Sequence, residues 1–134
     1  MTDKTVVETN EAPAPAHTFS QGVRKGGLLQ VSGQGAMDPR TQTYVGQGDV
    51  GAQTRRTLEN IRGILAAGGA SVEDVIMFRV YLTSRADFAA MNQAYGEFVD
   101  EHVPSGRLPC RTTVFVGLAH EVMLVEIDAL AVLS

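Results

Sequence analysis

Three ionisable residues near the C-terminus have types and spacing that could do chemistry: Arg111, Glu126 and Asp128. Two carboxylates at alternate positions of an apolar stretch share one face of a strand, and an arginine at the head of the preceding stretch can reach them if the two strands pair. Acids on a buried face need partners. Two readings stay open on spacing alone. Arg111 forms an ion pair that sets strand register, or it is held partly free to clamp a substrate carboxylate in a bidentate fork.

Other patterns weigh less. Gly46-x-Gly48-x-x-Gly51 has the spacing of a dinucleotide-binding turn and precedes a helix. However, Asp49 would repel a pyrophosphate, Glu73 precedes the next strand instead of ending it, and 14 glycines make chance matches easy. Cys110 beside Arg111 could be an activated thiolate, but a lone small residue between Pro109 and Arg111 reads better as packing. His17, His102 and His120 are scattered with no H-x-x-x-H pair, and one cysteine permits neither a disulfide framework nor a cysteine-based zinc knuckle. No metal site or cofactor is expected. Asn92 falls on the Phe88–Tyr95–Val99 face of a helix and should reach inward to a hydrogen-bond partner.

These residues are positioned by a regular succession of elements. Residues 1–16, with their A-P-A-P-A run, read as a flexible arm, and residues 17–134 as one domain. Residues 17–23 and 28–34 predict a hairpin turned at Gly26-Gly27, and residues 35–48 a glycine-rich loop. Asp49 caps a helix to about Ala67, with Val50, Leu58, Ile61, Ile64 and Leu65 on one face and Gly68-Gly69 closing it. A strand over residues 74–83 precedes a second helix over residues 86–102. Its Ser84-x-x-Asp87 start has capping-box spacing, and Phe88, Met91, Tyr95, Phe98 and Val99 form its buried stripe. Residues 111–116 and 122–133 are the last strands. The order ββαβαββ predicts an α+β fold, a mixed sheet with two helices on one face.

The last strand carries one more signal. Its odd positions, Met123 to Leu133, are all apolar and mark the helix-covered face. Among the even positions, Val122, Leu124, Leu130 and Val132 are aliphatic too. The chain has no third layer to bury them, so contact with further copies of itself is expected.

Composition narrows the class. The 134 residues are 44% hydrophobic and 19% charged, which suits one folded domain. The net charge of −4 supplies no basic footprint for nucleic acid. No apolar run approaches a membrane span and the N-terminus is acidic where a signal peptide would be basic, so a cytoplasmic protein with no membrane partner is expected.

Taken in order, these pieces resemble the Rid family of enamine/imine deaminases, also called YjgF-like and known too as endoribonuclease L-PSP. The resemblance runs from about Ala12 to Val132. It rests on Ser20-Gln21-Gly22, Val31-Ser32-Gly33-Gln34, Asp38-Pro39, Thr57-Leu58-Glu59-Asn60-Ile61, Asn92-x-x-Tyr95-x-x-Phe98, Pro109-x-Arg111 and Val125-Glu126-Ile127-Asp128-Ala129. It implies a chorismate-mutase-like homotrimer with sites between subunits. It also implies cofactor-free hydrolysis of small 2-imino acids or enamines, such as 2-iminobutanoate and 2-aminoacrylate, to 2-oxo acids and ammonia. Arg111 matches the arginine that binds the substrate carboxylate, and Glu126 the glutamate near the hydrolytic water. Ser32, Gly33 and Asn92 match pocket residues. Thr113 stands where many members have a cysteine, Phe19 where many have a tyrosine, and Gln42 where a turn glycine is usual. A small-carboxylate binder or sensor using the same arginine is the alternative; a ribonuclease or translation inhibitor fits the charge poorly.

Overall fold

The computed structural model describes residues 3–134. In chain order its strands are β1 (Thr5–Val7), β2 (Gly22–Lys25), β3 (Leu28–Gln34), β4 (Met37–Asp38), β5 (Thr43–Tyr44), β6 (Val75–Leu82), β7 (Cys110–Phe115) and β8 (Val125–Val132), and its helices are α1 (Val50–Ala67) and α2 (Phe88–His102). Six strands make one sheet in the order β1-β2-β3-β8-β6-β7, and β4 and β5 form a separate small hairpin. All neighbours in the large sheet are antiparallel except β6 and β7, which α2 connects in parallel. The expected ββαβαββ core is present as β2-β3-α1-β6-α2-β7-β8.

Local signals account for most elements. The Asp49 carboxylate accepts the Ala52 N–H at 3.0 Å, the expected N-cap of α1. The apolar face of α1 is buried, the Gly68 N–H returns to helix carbonyls, and Gly69 takes φ +87°, a left-handed position that ends the helix. α2 begins later than predicted, because Arg85–Asp87 forms a turn of 3-10 helix that the Ser84 hydroxyl caps through the Ala86 N–H. Its stripe is buried at Met91, Tyr95, Phe98 and Val99, but Phe88 is exposed, since it lies at the helix start beside the sheet edge.

The N-terminal expectation needs correction. Residues 5–7 are not a loose arm: they pair with β2, Thr5 opposite Arg24 and Val7 opposite Gly22. Val7, Ala12 and Pro13 are buried. The pairing partner lies some fifteen residues on, so no local pattern announces it. The strand predicted over residues 17–23 starts only at Gly22, and the loop over 35–48 contains the β4–β5 hairpin. Its turn holds Gln42 at φ +58°, where the side chain compensates by donating from Nε2 to the Pro39 carbonyl at 2.7 Å.

Both helices cover one face of the sheet. Leu29, Val31, Phe78, Val80, Val125 and Ile127 point into that layer and are buried. The other face carries the even positions of β8, half-buried from Glu126 to Leu130 and exposed at Val132. Leu28, Ile76 and Val114 add exposed apolar area. At its centre Asp128 accepts from Arg79 Nε at 2.8 Å and from the Tyr81 hydroxyl at 3.0 Å.

Candidate active site

The chemistry-bearing residues separate into two clusters. The first surrounds Glu126 on the uncovered face. Glu126 lies opposite Tyr81 on β6 and beside the irregularity in the β3–β8 pairing between Val31 and Gln34. A Cβ at Gly33 would run into the Glu126 carboxylate, so glycine is what leaves the acid room. A cleft of about 390 Å³ opens there, walled by Phe19, Ser32, Tyr44, His120, Met123 and Glu126 among others. The Ser32 hydroxyl is turned to the Ser20 carbonyl. No cation pairs with Glu126 among the described residues. Burial, reinforced by the Asp128 charge, raises its pKa above the ordinary glutamate value.

Buried amides hold the walls of this cleft. Gln21 donates from Nε2 to the carbonyls of Thr9, Ala12 and Pro13, tying down the segment that leads to Phe19. Asn60, fully buried on α1, donates to Gly35 O at 3.1 Å and Met37 O at 2.8 Å, which fixes the loop bearing Tyr44. Gln53, also on α1, donates to Gly46 O and Val122 O and accepts the Leu124 N–H, which fixes the segment after His120. A buried amide that satisfies backbone groups on two segments makes their separation costly.

The second cluster surrounds Arg111 on the helix-covered face. Its Nη1 donates to Asn92 Oδ1 at 2.8 Å, and its guanidinium lies 4.8 Å over the Tyr95 ring and 5.9 Å from that of Phe88. Burial pushes the Tyr95 hydroxyl up to about 12, against the Arg111 charge, so Tyr95 serves as a neutral cation–π wall. Thr113 follows on the same face, with its hydroxyl oxygen buried and unpaired among the described residues. Leu108 and Pro109 complete a shallow pocket of about 160 Å³.

Arg111 therefore pairs with neither Glu126 nor Asp128. Strand β6 lies between β7 and β8, and parity sends the side chains apart: Arg111 is level with buried Phe78, whereas Glu126 is level with Tyr81 on the other face. Asp128 is held by Arg79 instead. Phe19, Ser32, Gly33 and Glu126 come together, as do Arg111, Asn92 and Thr113; within one chain the two sets do not meet. Sequence reasoning left out Tyr44, which lies in no recognisable spacing, and read Tyr95 and Met123 only as buried positions of a helix stripe and a strand alternation. It also kept His17 and His120 apart, although both line the Glu126 cleft. Among the described residues, no three His, Cys, Asp or Glu side chains gather as metal ligands would. Among the described residues, no helix is long and apolar enough to cross a membrane.

A larger groove, about 460 Å³, lies between the N-terminal segment and α1. Its arginines are engaged, Arg56 with Asn60 and Arg62 with Glu59. The groove around Glu126 holds a half-buried acid that no cation pairs with among the described residues.

A mixed sheet with helices on one face, an acid cleft on the other and an arginine pocket under the second helix defines a protein of the Rid/YjgF type. The chain belongs to the Endoribonuclease L-PSP family, whose model matches residues 9–133. It is 41% identical over 128 residues to RutC family protein PH0854 of Pyrococcus horikoshii, covering 96% of this chain and 97% of that protein. It is 37% identical to TdcF of Escherichia coli strain K12, provisionally named a reactive intermediate deaminase, over 98% of both chains. The crystal structure of E. coli TdcF with bound serine superposes with a TM-score of 0.90, covering 97% of this chain and 99% of that one. RidA from an Antarctic Psychrobacter is 32% identical, with a TM-score of 0.87 over 96% and 99% of the respective chains.

Proposed function

We propose that the protein is a hydrolytic deaminase of small 2-imino acids and their enamine tautomers, assembled as a homotrimer with each site between two chains. One chain contributes Glu126, Ser32, Gly33 and Phe19; its neighbour contributes Arg111, Asn92 and Thr113. The observation that carries this reading is the placement of Arg111 and Glu126 on opposite faces of one sheet. The uncovered apolar face around Leu130 supports assembly, because exposed contiguous apolar area favours a partner surface. The serine bound to TdcF supports an amino-acid-like carboxylate as the ligand class.

The chemistry asks little of the protein. The Arg111 fork holds the carboxylate and so places C2 of the imine over the neighbouring chain's Glu126. Water adds to C2 as Glu126 takes one of its protons; the C=N π pair moves onto nitrogen, to which Glu126 returns the proton. The carbinolamine then collapses: Glu126 carries the hydroxyl proton to nitrogen, the C–N bond breaks, and a 2-oxo acid and ammonia leave. A carboxyl with raised pKa suits this shuttling better than an ordinary exposed one. RNA cleavage fits less well, since a carboxylate at the centre of the cleft repels a phosphodiester.

Mixing two inactive variants tests the shared site. Arg111→Ala and Glu126→Gln each lack one half-site, but trimers refolded or co-expressed together restore intact pairs. About a quarter of wild-type ammonia release is expected from random assembly. Mixed trimers with no activity would overturn the shared site, and a wild type that releases no ammonia from any imine would overturn the deaminase.

A further inference from the structure

Electron density builds on nitrogen as water adds to C2, which calls for a hydrogen-bond donor beside Glu126, and Phe19 and Ser32 do not provide one. Phe19 has no hydroxyl, and the Ser32 hydroxyl is spent on the Ser20 carbonyl. Tyr44 is different. It lies in the wall of the same cleft, on the β4–β5 hairpin opposite Met37. The Met37 carbonyl is one of the two that buried Asn60 holds, so the hairpin's position is set from the core.

The ring of Tyr44 is confined on several sides. A Cβ at Gly35 would come within 3.2 Å of its Cε1 and within 2.7 Å of the Met123 methyl, so the glycine admits both side chains. The His120 ring lies against it, centroid to centroid 5.5 Å at 50°. Among the described residues the hydroxyl donates only to Met123 Sδ, at 3.5 Å. A thioether is a weak acceptor, so this bond is readily exchanged for one to a ligand nitrogen. Burial, with the Glu126 charge adding to it, raises the Tyr44 pKa; the hydroxyl keeps its proton and stays a donor.

We propose that Tyr44 is the hydrogen-bond donor of the Glu126 cleft, its hydroxyl holding the substrate nitrogen as the lone pair grows there, with His120 positioning the ring. This rests on the deaminase reading above and adds a residue and a role to it. Water addition moves the C=N electron pair onto nitrogen, so a fixed O–H aimed at that atom stabilises the addition step more than the bound imine. The cleft then holds both a donor and a base.

The experiment is a two-by-two comparison of wild type, Tyr44→Phe, Phe19→Tyr and the double variant. Each is assayed for ammonia release from imines that an amino-acid oxidase generates from alanine, leucine and phenylalanine. Tyr44→Phe is expected to lower kcat about tenfold with KM changed less than about twofold, the pattern of a bond made in the transition state. Phe19→Tyr is expected to restore about tenfold in the Tyr44→Phe background and to change the wild type little, since one hydroxyl suffices. His120→Phe, which keeps a ring against Tyr44, is expected to retain activity that His120→Ala loses. An active wild type whose rate Tyr44→Phe leaves unchanged would overturn the donor role alone, as would equal gains from Phe19→Tyr in both backgrounds. A wild type inactive on every imine, with Arg111→Ala no different, would overturn the deaminase reading and the donor role together.

Discussion

The Arg111 guanidinium donates to Asn92 Oδ1 at 2.8 Å while lying 4.8 Å over the face of Tyr95. The amide engages one N–H of the fork and the ring engages its plane, and the remaining donors have no hydrogen-bond partner among the described residues. A strand-edge arginine held this way is oriented without being neutralised. That is the arrangement a carboxylate clamp requires, and it separates Arg111 from Arg79, whose Nε is committed to Asp128.

Arg111→Ala is expected to abolish ammonia release while leaving the unfolding midpoint near wild type, because its one hydrogen-bond partner among the described residues, Asn92, is exposed. Arg111→Lys recovers little, since a point charge reproduces neither the fork nor the stacking. Steady-state assays beside denaturant unfolding check this; an active but strongly destabilised Arg111→Ala would mark the arginine as structural.

Glu126 titrates above the ordinary glutamate value because burial and Asp128 disfavour its charge. Between the unfolded and folded pKa values the folded chain holds the extra proton, so this group's contribution to stability falls as pH rises through that window. Glu126→Gln should therefore stabilise the fold at neutral pH, with the gain shrinking as the solution is acidified below the carboxylate range. The base form is the one that acts, so the acid limb of the kcat profile should lie above the usual carboxylate pKa. Urea unfolding against pH and a pH–rate profile measure the two effects.

Leu130 sits half-buried in the middle of the uncovered face, level with Gln30 on one side and Met77 on the other. Light scattering after size-exclusion chromatography is expected to report about three chains for the wild type and a smaller species for Leu130→Lys, because a lysine there would carry charge into an apolar contact. A wild type that is monomeric at micromolar concentration would contradict the shared site.

Asn60→Leu removes a fully buried amide and leaves the Gly35 and Met37 carbonyls without their donor. A loss of about 2–4 kcal/mol in folding stability is expected, with faster amide exchange in the β4–β5 hairpin and a lower kcat. Hydrogen exchange localises the effect; uniform loosening of the whole sheet would argue against a specific tie between α1 and the cleft.

Local chemistry made much of this fold legible. The cap at Asp49, the apolar period through Leu65 and the Gly68-Gly69 stop define α1, and the alternation from Met123 to Leu133 names the covered face of β8. The same alternation reads the even face as more apolar than ordinary surface, which is the expectation behind the proposed trimer. Each of these signals lies within the reach of a few residues, where hydrogen-bond geometry and side-chain period act directly. What only the tertiary structure decided was the relation between segments. Thr5–Val7 became a strand because its partner, β2, lay far along the chain. Arg111 parted from Glu126 because β8 inserts beside β3 and leaves β6 between itself and β7. Parity is written within each strand, but the register that compares two strands is set by packing. Tyr44 entered the cleft because Asn60, on a helix whose period said nothing of that loop, holds it there.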